Sequence, residues 1–251
     1  MISLTVATFQ LPPAALVHQR VPKKLLLEHG APTAADKRLL QDGVEEVQWL
    51  AALKPSTIGV PAYRDDVREY LEIAVISVEL RADAKAARLT ELIHRAIPYP
   101  LILLTAQAGA TTLSFAHKRW SQVENRAVVL DGAVVAAVLA VAEPTPQDLA
   151  FEASLALGAQ SAADLHALYR GWVDRAEARA AAALTGTFAL ASTPEAAHAR
   201  REALQEHARL QREIRDLRAQ AGREKQIRAR VEINLRIRVA AQLLSKLAER
   251  L

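Results

Sequence analysis

Residues 70–80 limit this chain more than any other stretch: Leu71, Ile73, Val75 and Ser77 alternate with Glu72, Ala74, Ile76 and Val78, so both faces are apolar through the middle. A strand of that kind must be covered on both sides, which predicts the centre of a sheet with helices packed on it. Residues 44–53 supply a strand before it. Residues 83–97 supply a helix after it, apolar at Ala87, Leu89, Leu92, Ile93 and Ala96 and charged at Lys85, Arg88, Glu91 and Arg95. Pro98 ends that helix, and residues 101–107 and 111–118 flank a turn at Gly109 as a hairpin. The expected order is strand, strand, helix, strand, strand. Residues 11–43 read as turns and short helices, and 126–142 as at least one more strand, with an alanine-rich helix from Ala133 as the alternative.

From Pro144 onward the pattern turns helical. Residues 146–157 close at Gly158, residues 161–185 open with Ser161 as N-cap and Asp164 in place for a capping-box variant, and Ser192 as cap, with Pro194 and Glu195, marks a third helix start. From Pro194 to the end there is one glycine and no further proline, which predicts a long helix. The fold class expected is α+β: a mixed sheet with packed helices, followed by a C-terminal helical bundle or coiled-coil segment. Three parts follow, an α/β domain over 1–142, a helical connector over 143–191 and a long basic coiled-coil-like helix over 192–251.

That last segment carries two apolar patterns. Leu204, Leu210, Ile214 and Leu217, with His207 and Ala221, follow three- and four-residue steps along one stripe. Beyond Gly222 come Ile227, Val231, Leu235, Val239 and Leu243, joined by Ile233, Ile237, Leu244 and Leu247 in a face too wide for a two-stranded seam. These residues are expected to bind a partner, or to fold back on residues 146–185. The charge is also concentrated here: residues 192–251 hold 14 Lys and Arg against 8 Asp and Glu, whereas residues 1–191 carry a net −2. Arg212, Arg215, Arg218, Arg223, Arg228 and Arg230 are the candidates for phosphate contacts, and a solvated basic face is the plain alternative. Lys118 and Arg119, with Trp120 as a stacking surface, form a second candidate nucleic-acid patch, Lys23 and Lys24 add a separate basic spot, and a Trp capping the core edge beside ordinary surface charge is the alternative.

Composition excludes several chemistries. With no cysteine there is no disulfide framework, thiolate metal site or thiol nucleophile, which suits a reducing compartment and a cytoplasmic location. The nine glycines never form a dinucleotide or P-loop cradle, the seven histidines form no HExxH, and no GxSxG elbow is present, so neither cofactor nor metal is expected. Apolar runs at 101–106 and 133–142 fall well short of the roughly 18 residues that a membrane helix needs. One enzymatic arrangement survives: Asp66, Glu72 and Glu79 as a divergent Mg²⁺-dependent nuclease site. The residue beyond Glu79 and Leu80 is Arg81, too basic to serve as the proton-handling lysine of such sites.

The order of four pieces is informative: residues 21–24 (beginning Val-Pro-Lys), the strand 72–81, the run 97–102 with Pro98 and Pro100, and 114–118 ending in His117-Lys118. Together over roughly residues 10–135 they resemble the bacterial family described as domain of unknown function 4391. Members characteristically have lysine where this chain has Arg81. The resemblance implies no established activity and no catalytic residues. It implies an association with bacterial antiviral defence clusters that encode helicases and DNA methyltransferases. The function expected is therefore an accessory subunit of a defence or DNA-processing complex, binding a helicase or methyltransferase and DNA backbone. A nuclease and a self-associating structural protein are the alternatives.

Overall fold

A computed structural model describes residues 7–123, 127–139, 143–248 and 251. The chain divides into two compact units, residues 1–176 and 177–251. In the first, six strands form one mixed sheet in the order β1 (Leu16–Arg20), β2 (Val44–Leu53), β5 (Ile73–Leu80), β6 (Leu101–Gln107), β7 (Ala110–Phe115) and β10 (Val135–Leu139). Short pairs of β3 (Tyr63–Arg64) with β4 (Glu69–Tyr70), and of β8 (Lys118–Trp120) with β9 (Val128–Leu130), stand apart from it. Every neighbouring pair in the main sheet is antiparallel except β5 and β6. Parallel neighbours need a crossover, and helix α4 (Ala86–Ala96) supplies it.

β5 is central, and its residues 73–78 are all buried, as the apolar alternation requires. One sheet face, with Ala74, Ile76, Val78, Leu101 and Leu103, packs against Leu89, Leu92 and Ile93 of α4, Leu26 of α1 (Lys23–Gly30) and Leu40 of α2 (Ala34–Gly43). Two glycines permit that closeness: a Cβ on Gly30 would lie 2.6 Å from the Ala96 Cβ, and one on Gly43 would lie 2.7 Å from Leu89 Cδ1. The opposite face, with Ile73, Val75, Ile102 and Leu104, is equally dry. There Tyr169, on helix α6 (Leu165–Thr185), donates its hydroxyl to the carbonyls of Leu101 and Ala116 and accepts from the Ala116 amide, which fastens the helix to the ends of β6 and β7. Trp172, one turn on, donates to the Leu155 carbonyl and meets Phe9 edge-on.

The strand, strand, helix, strand, strand order is present as expected, and strands rather than a helix occupy 128–130 and 135–139; the remainder of the apolar run, 140–142, lies outside the described residues. The edge strand β1 falls where only turns and short helices are expected. All five of its residues are exposed, so it has no buried alternation to reveal it. Pro55 to Ile58 forms a single helical turn, α3. Helix α5 (Pro146–Ser154) is opened by a reciprocal capping box between Thr145 and Asp148. Two cap positions are corrected. Asp164, rather than Ser161, caps α6 by accepting from the Ala167 amide at 2.8 Å, and Thr193, rather than Ser192, accepts from Ala196 at 3.2 Å.

In the second unit the expected single helix over 192–251 is two. Helix α7 (Pro194–Arg223) stops at Glu224, which is extended (φ −74°, ψ 123°), and α8 (Ile227–Ala248) starts three residues later. The break permits a hairpin in which Leu210 and Ile214 of α7 pack on Ala240, Ile237, Leu244 and Leu247 of α8. Two separate apolar faces cannot both be buried along one straight helix in a single chain, whereas a reversal after Gly222 buries one of them. Glu177, buried near the end of α6, receives the Arg201 guanidinium of α7 at 2.7 Å. No helix among the described residues is long and apolar enough to cross a membrane.

Candidate functional site

One end of the sheet in the first unit brings together three buried polar side chains, His94, Ser114 and Lys118. The Pro98-Tyr99-Pro100 turn ends α4 and aims β6. The short β8, after β7, returns Lys118 beneath that helix end. Lys118 is 3% exposed, and its ammonium donates to the carbonyls of His94 and Ile97, the second at 2.9 Å. A cation there meets unpaired carbonyls at the negative end of the helix dipole. Burial pulls its pKa down to about 7. Burial, and then the neighbouring Lys118, push His94 down to about 3, so its imidazole is neutral. His94 Nε2 lies 3.0 Å from Ser114 Oγ, while Nδ1 has no partner among the described residues. A serine and a histidine at that distance suggest a nucleophile and its base, but both are wholly buried and no carboxylate among the described residues bonds the ring. The pair ties α4 to β7 instead.

Beside it is an aromatic cluster. His166, at the start of α6, stacks on Tyr63 (4.8 Å between ring centroids, 29° between planes) and meets Tyr70 at 5.0 Å and His117 at 5.5 Å. Tyr70 Oη is 2.8 Å from His117 Nδ1 and accepts from the Lys118 amide at 3.3 Å. Burial raises the Tyr70 phenol and, together with Arg68 and Arg170, lowers His166, so the cluster favours neutral forms. Arg68 forms a two-pronged pair with Asp131 (2.6 and 3.1 Å). These residues come from positions as far apart as 63 and 169, a separation at which no local spacing could announce them. Only the 114–118 run pointed at this place.

The cleft beside this centre, lined in part by Leu71, Tyr99, Pro100, Lys118 and Trp120, measures about 150 Å³. That is below the roughly 300–1,000 Å³ of small-molecule pockets.

The expected nucleic-acid patch is only partly available. Lys118 is corrected: it is an internal helix cap, because the β7-to-β8 turn points it inward. Arg119 and Trp120 are half-buried, and Arg119 donates to the Trp120 carbonyl (3.1 Å) beside Asp131 (3.6 Å). Lys23 donates to the Val44 carbonyl, and exposed Lys24 lies 3.5 Å from Glu28. The three carboxylates of the nuclease arrangement are not brought together. Glu72 and Glu79 stand about 23 Å apart along β5 at roughly 3.3 Å per residue, too far to share an ion. Glu72 pairs with Lys54 at 3.0 Å, Glu79 faces Glu46 of β2, and Asp66 is exposed in the turn between β3 and β4. No group of three potential metal ligands occurs among the described residues.

The tail residues separate by role. Leu210, Ile214 and Leu217 are buried, Leu204 is half-buried, and the first two pack on α8. Ile227 (72%), Val231 (52%), Leu235 (53%), Val239 (57%) and Leu243 (50%) are exposed, the last three along a groove shared with Leu210 and Ala240, so α8 carries one covered and one open set of apolar side chains. Arg212, Arg215, Arg218, Arg223, Arg228 and Arg230 are all exposed. At 100° per residue Arg212 and Arg215 stand about 200° and 140° round from Leu210, on the outer side of the hairpin. Arg228 lies 3.9 Å from Glu232.

No curated protein and no solved structure matches the chain. A family model described as Domain of unknown function (DUF4391) matches residues 9–244, which takes in the sheet, the buried lysine and nearly all of the helical hairpin, and the chain therefore belongs to that family.

Proposed function

We propose that this protein is a non-catalytic accessory subunit of an antiviral defence or DNA-processing assembly, attached to a helicase or DNA methyltransferase through its C-terminal hairpin. The observation that carries the reading is the open apolar face of α8. Five aliphatic side chains at four-residue spacing, each at least half exposed, are retained on a helix that already packs other apolar residues against α7. Isolated exposed leucines are ordinary, but a continuous stripe of this kind marks an interaction surface. The exposed arginines of α7 and α8 supply the cations that DNA backbone contact alongside the partner would need, with little base specificity and steep salt dependence. A role without catalysis agrees with the polar centre of the first unit, whose serine, histidine and lysine are inside the core.

The test is affinity purification of the chain from its native host, with and without nuclease treatment, followed by mass spectrometry. Recovery of a helicase or methyltransferase after nuclease treatment is expected. Recovery of the chain alone would refute the assembly. DNA cleavage by the purified protein with Mg²⁺, abolished by Glu79→Ala, would refute the non-catalytic role.

A further inference from the structure

We infer that the open face of α8 receives a single amphipathic helix from an acidic partner, seated in the groove between α7 and α8; this rests on the assembly reading and specifies the chemistry of its partner. Ile227 to Leu243 spans about 24 Å at 1.5 Å per residue, which calls for a guest helix of about 18 residues. Leu235, Val239 and Leu243 also line a groove of about 460 Å³, whose far wall is Arg209 and Glu213 of α7. An amphipathic helix laid in such a groove anchors itself by apolar residues three and four apart.

Charge decides among occupants. Along α8 the cations Arg228, Arg230, Arg236, Arg238 and Lys246 stand against Glu232 alone. On the far wall, Arg209 is already held by Glu206 (2.7 Å) and Glu213 (3.1 Å). A second copy of α8 would bring this cationic excess against itself, and like charges brought together at an interface cost affinity. A nucleic-acid backbone would meet the arginines but leave the five aliphatic side chains in water. A helix with an apolar stripe bordered by Asp and Glu satisfies both features.

The experiment uses the full chain and a fluorescein-labelled synthetic helix of about 18 residues, with leucines at three- and four-residue spacing and glutamates along both borders, read by anisotropy. A control peptide carries lysine in place of every glutamate. The acidic peptide is expected to bind and the lysine peptide to bind at least about tenfold more weakly. Leu235→Gln with Val239→Gln, on exposed positions that leave the circular dichroism spectrum unchanged, should weaken the acidic peptide about tenfold. Arg236→Glu with Arg238→Glu should narrow or reverse the preference. Absence of acidic-peptide binding, equal affinity for both peptides, or indifference to the glutamine pair would overturn the inference. So would light scattering that finds a dimer which the glutamine pair converts to monomer, since a second copy would then fill the face. If the peptide binds as stated while neither helicase nor methyltransferase is recovered from the host, the surface chemistry stands and the assembly reading fails.

Discussion

His94 should make the first unit sensitive to mild acid. Its imidazole is fully buried, bonded to Ser114 and close to Lys118, and its folded pKa of about 3 lies far below the ordinary 6.5. As pH falls below 6.5 the unfolded chain takes up a proton at this position and the folded chain does not. The unfolded state binds more protons, so stability falls with pH, by up to about 1.4 kcal/mol per unit, until the folded pKa is reached. From pH 7 to pH 5, a window in which ordinary carboxylates stay mostly ionised, this one group removes about 2 kcal/mol. His94→Gln removes the titration and keeps an amide nitrogen where Nε2 met Ser114. All three tryptophans (Trp49, Trp120 and Trp172) lie in the first unit, so urea unfolding followed by tryptophan fluorescence reports on that unit. The wild type should lose about 2 kcal/mol more than the variant over that window. Equal losses would show that the imidazole is reached by solvent or already charged when folded, and would refute the buried neutral assignment.

Lys118 gives the complementary result at high pH. Between about 7 and 10.5 the unfolded lysine keeps a proton that the folded one has released, so the first unit should gain stability as pH rises, and Lys118→Met should lose that gain in the same fluorescence assay. Removing the Tyr169 hydroxyl by Tyr169→Phe leaves the buried Ala116 amide without its partner and should cost about 1–3 kcal/mol, measured by urea unfolding. In the hairpin, Leu210→Ala should cost about 2–5 kcal/mol in thermal melts followed by circular dichroism. Leu235→Gln, on the open face, should stay within about 0.5 kcal/mol of wild type. Equal penalties would mean that both faces of α8 are packed.

The same contrast between residues shows how far sequence reasoning reaches. It identified β5 as central because apolar residues on both faces leave a strand no other stable place, and the helix and hairpin that follow are punctuated by Pro98 and Gly109, whose backbone preferences act locally. The edge strand β1 escaped it because pairing on one side, with no side chain buried, leaves no periodic signal. The basic and apolar residues of the tail were visible as residue types. Their division was not, because whether Leu210 or Leu235 is covered depends on where the chain reverses. Gly222 marks the change of pattern, but with no proline after it a lone glycine inside a helical pattern does not fix a reversal.

Lys118 is the sharpest case. Read along the chain, a lysine between His117 and Arg119 and near Trp120 is a surface patch; in the fold it is the cap of α4, 21 residues away from Ile97, whose carbonyl it holds. The sequence by itself determined the layered α+β core and the basic, doubly apolar tail, because hydrophobic periodicity and backbone preference are properties of neighbouring residues. Tertiary structure alone decided which charges are internal, which carboxylates stay apart and which helix face remains open, because burial and electrostatic environment are set by groups that only folding brings within a few ångströms.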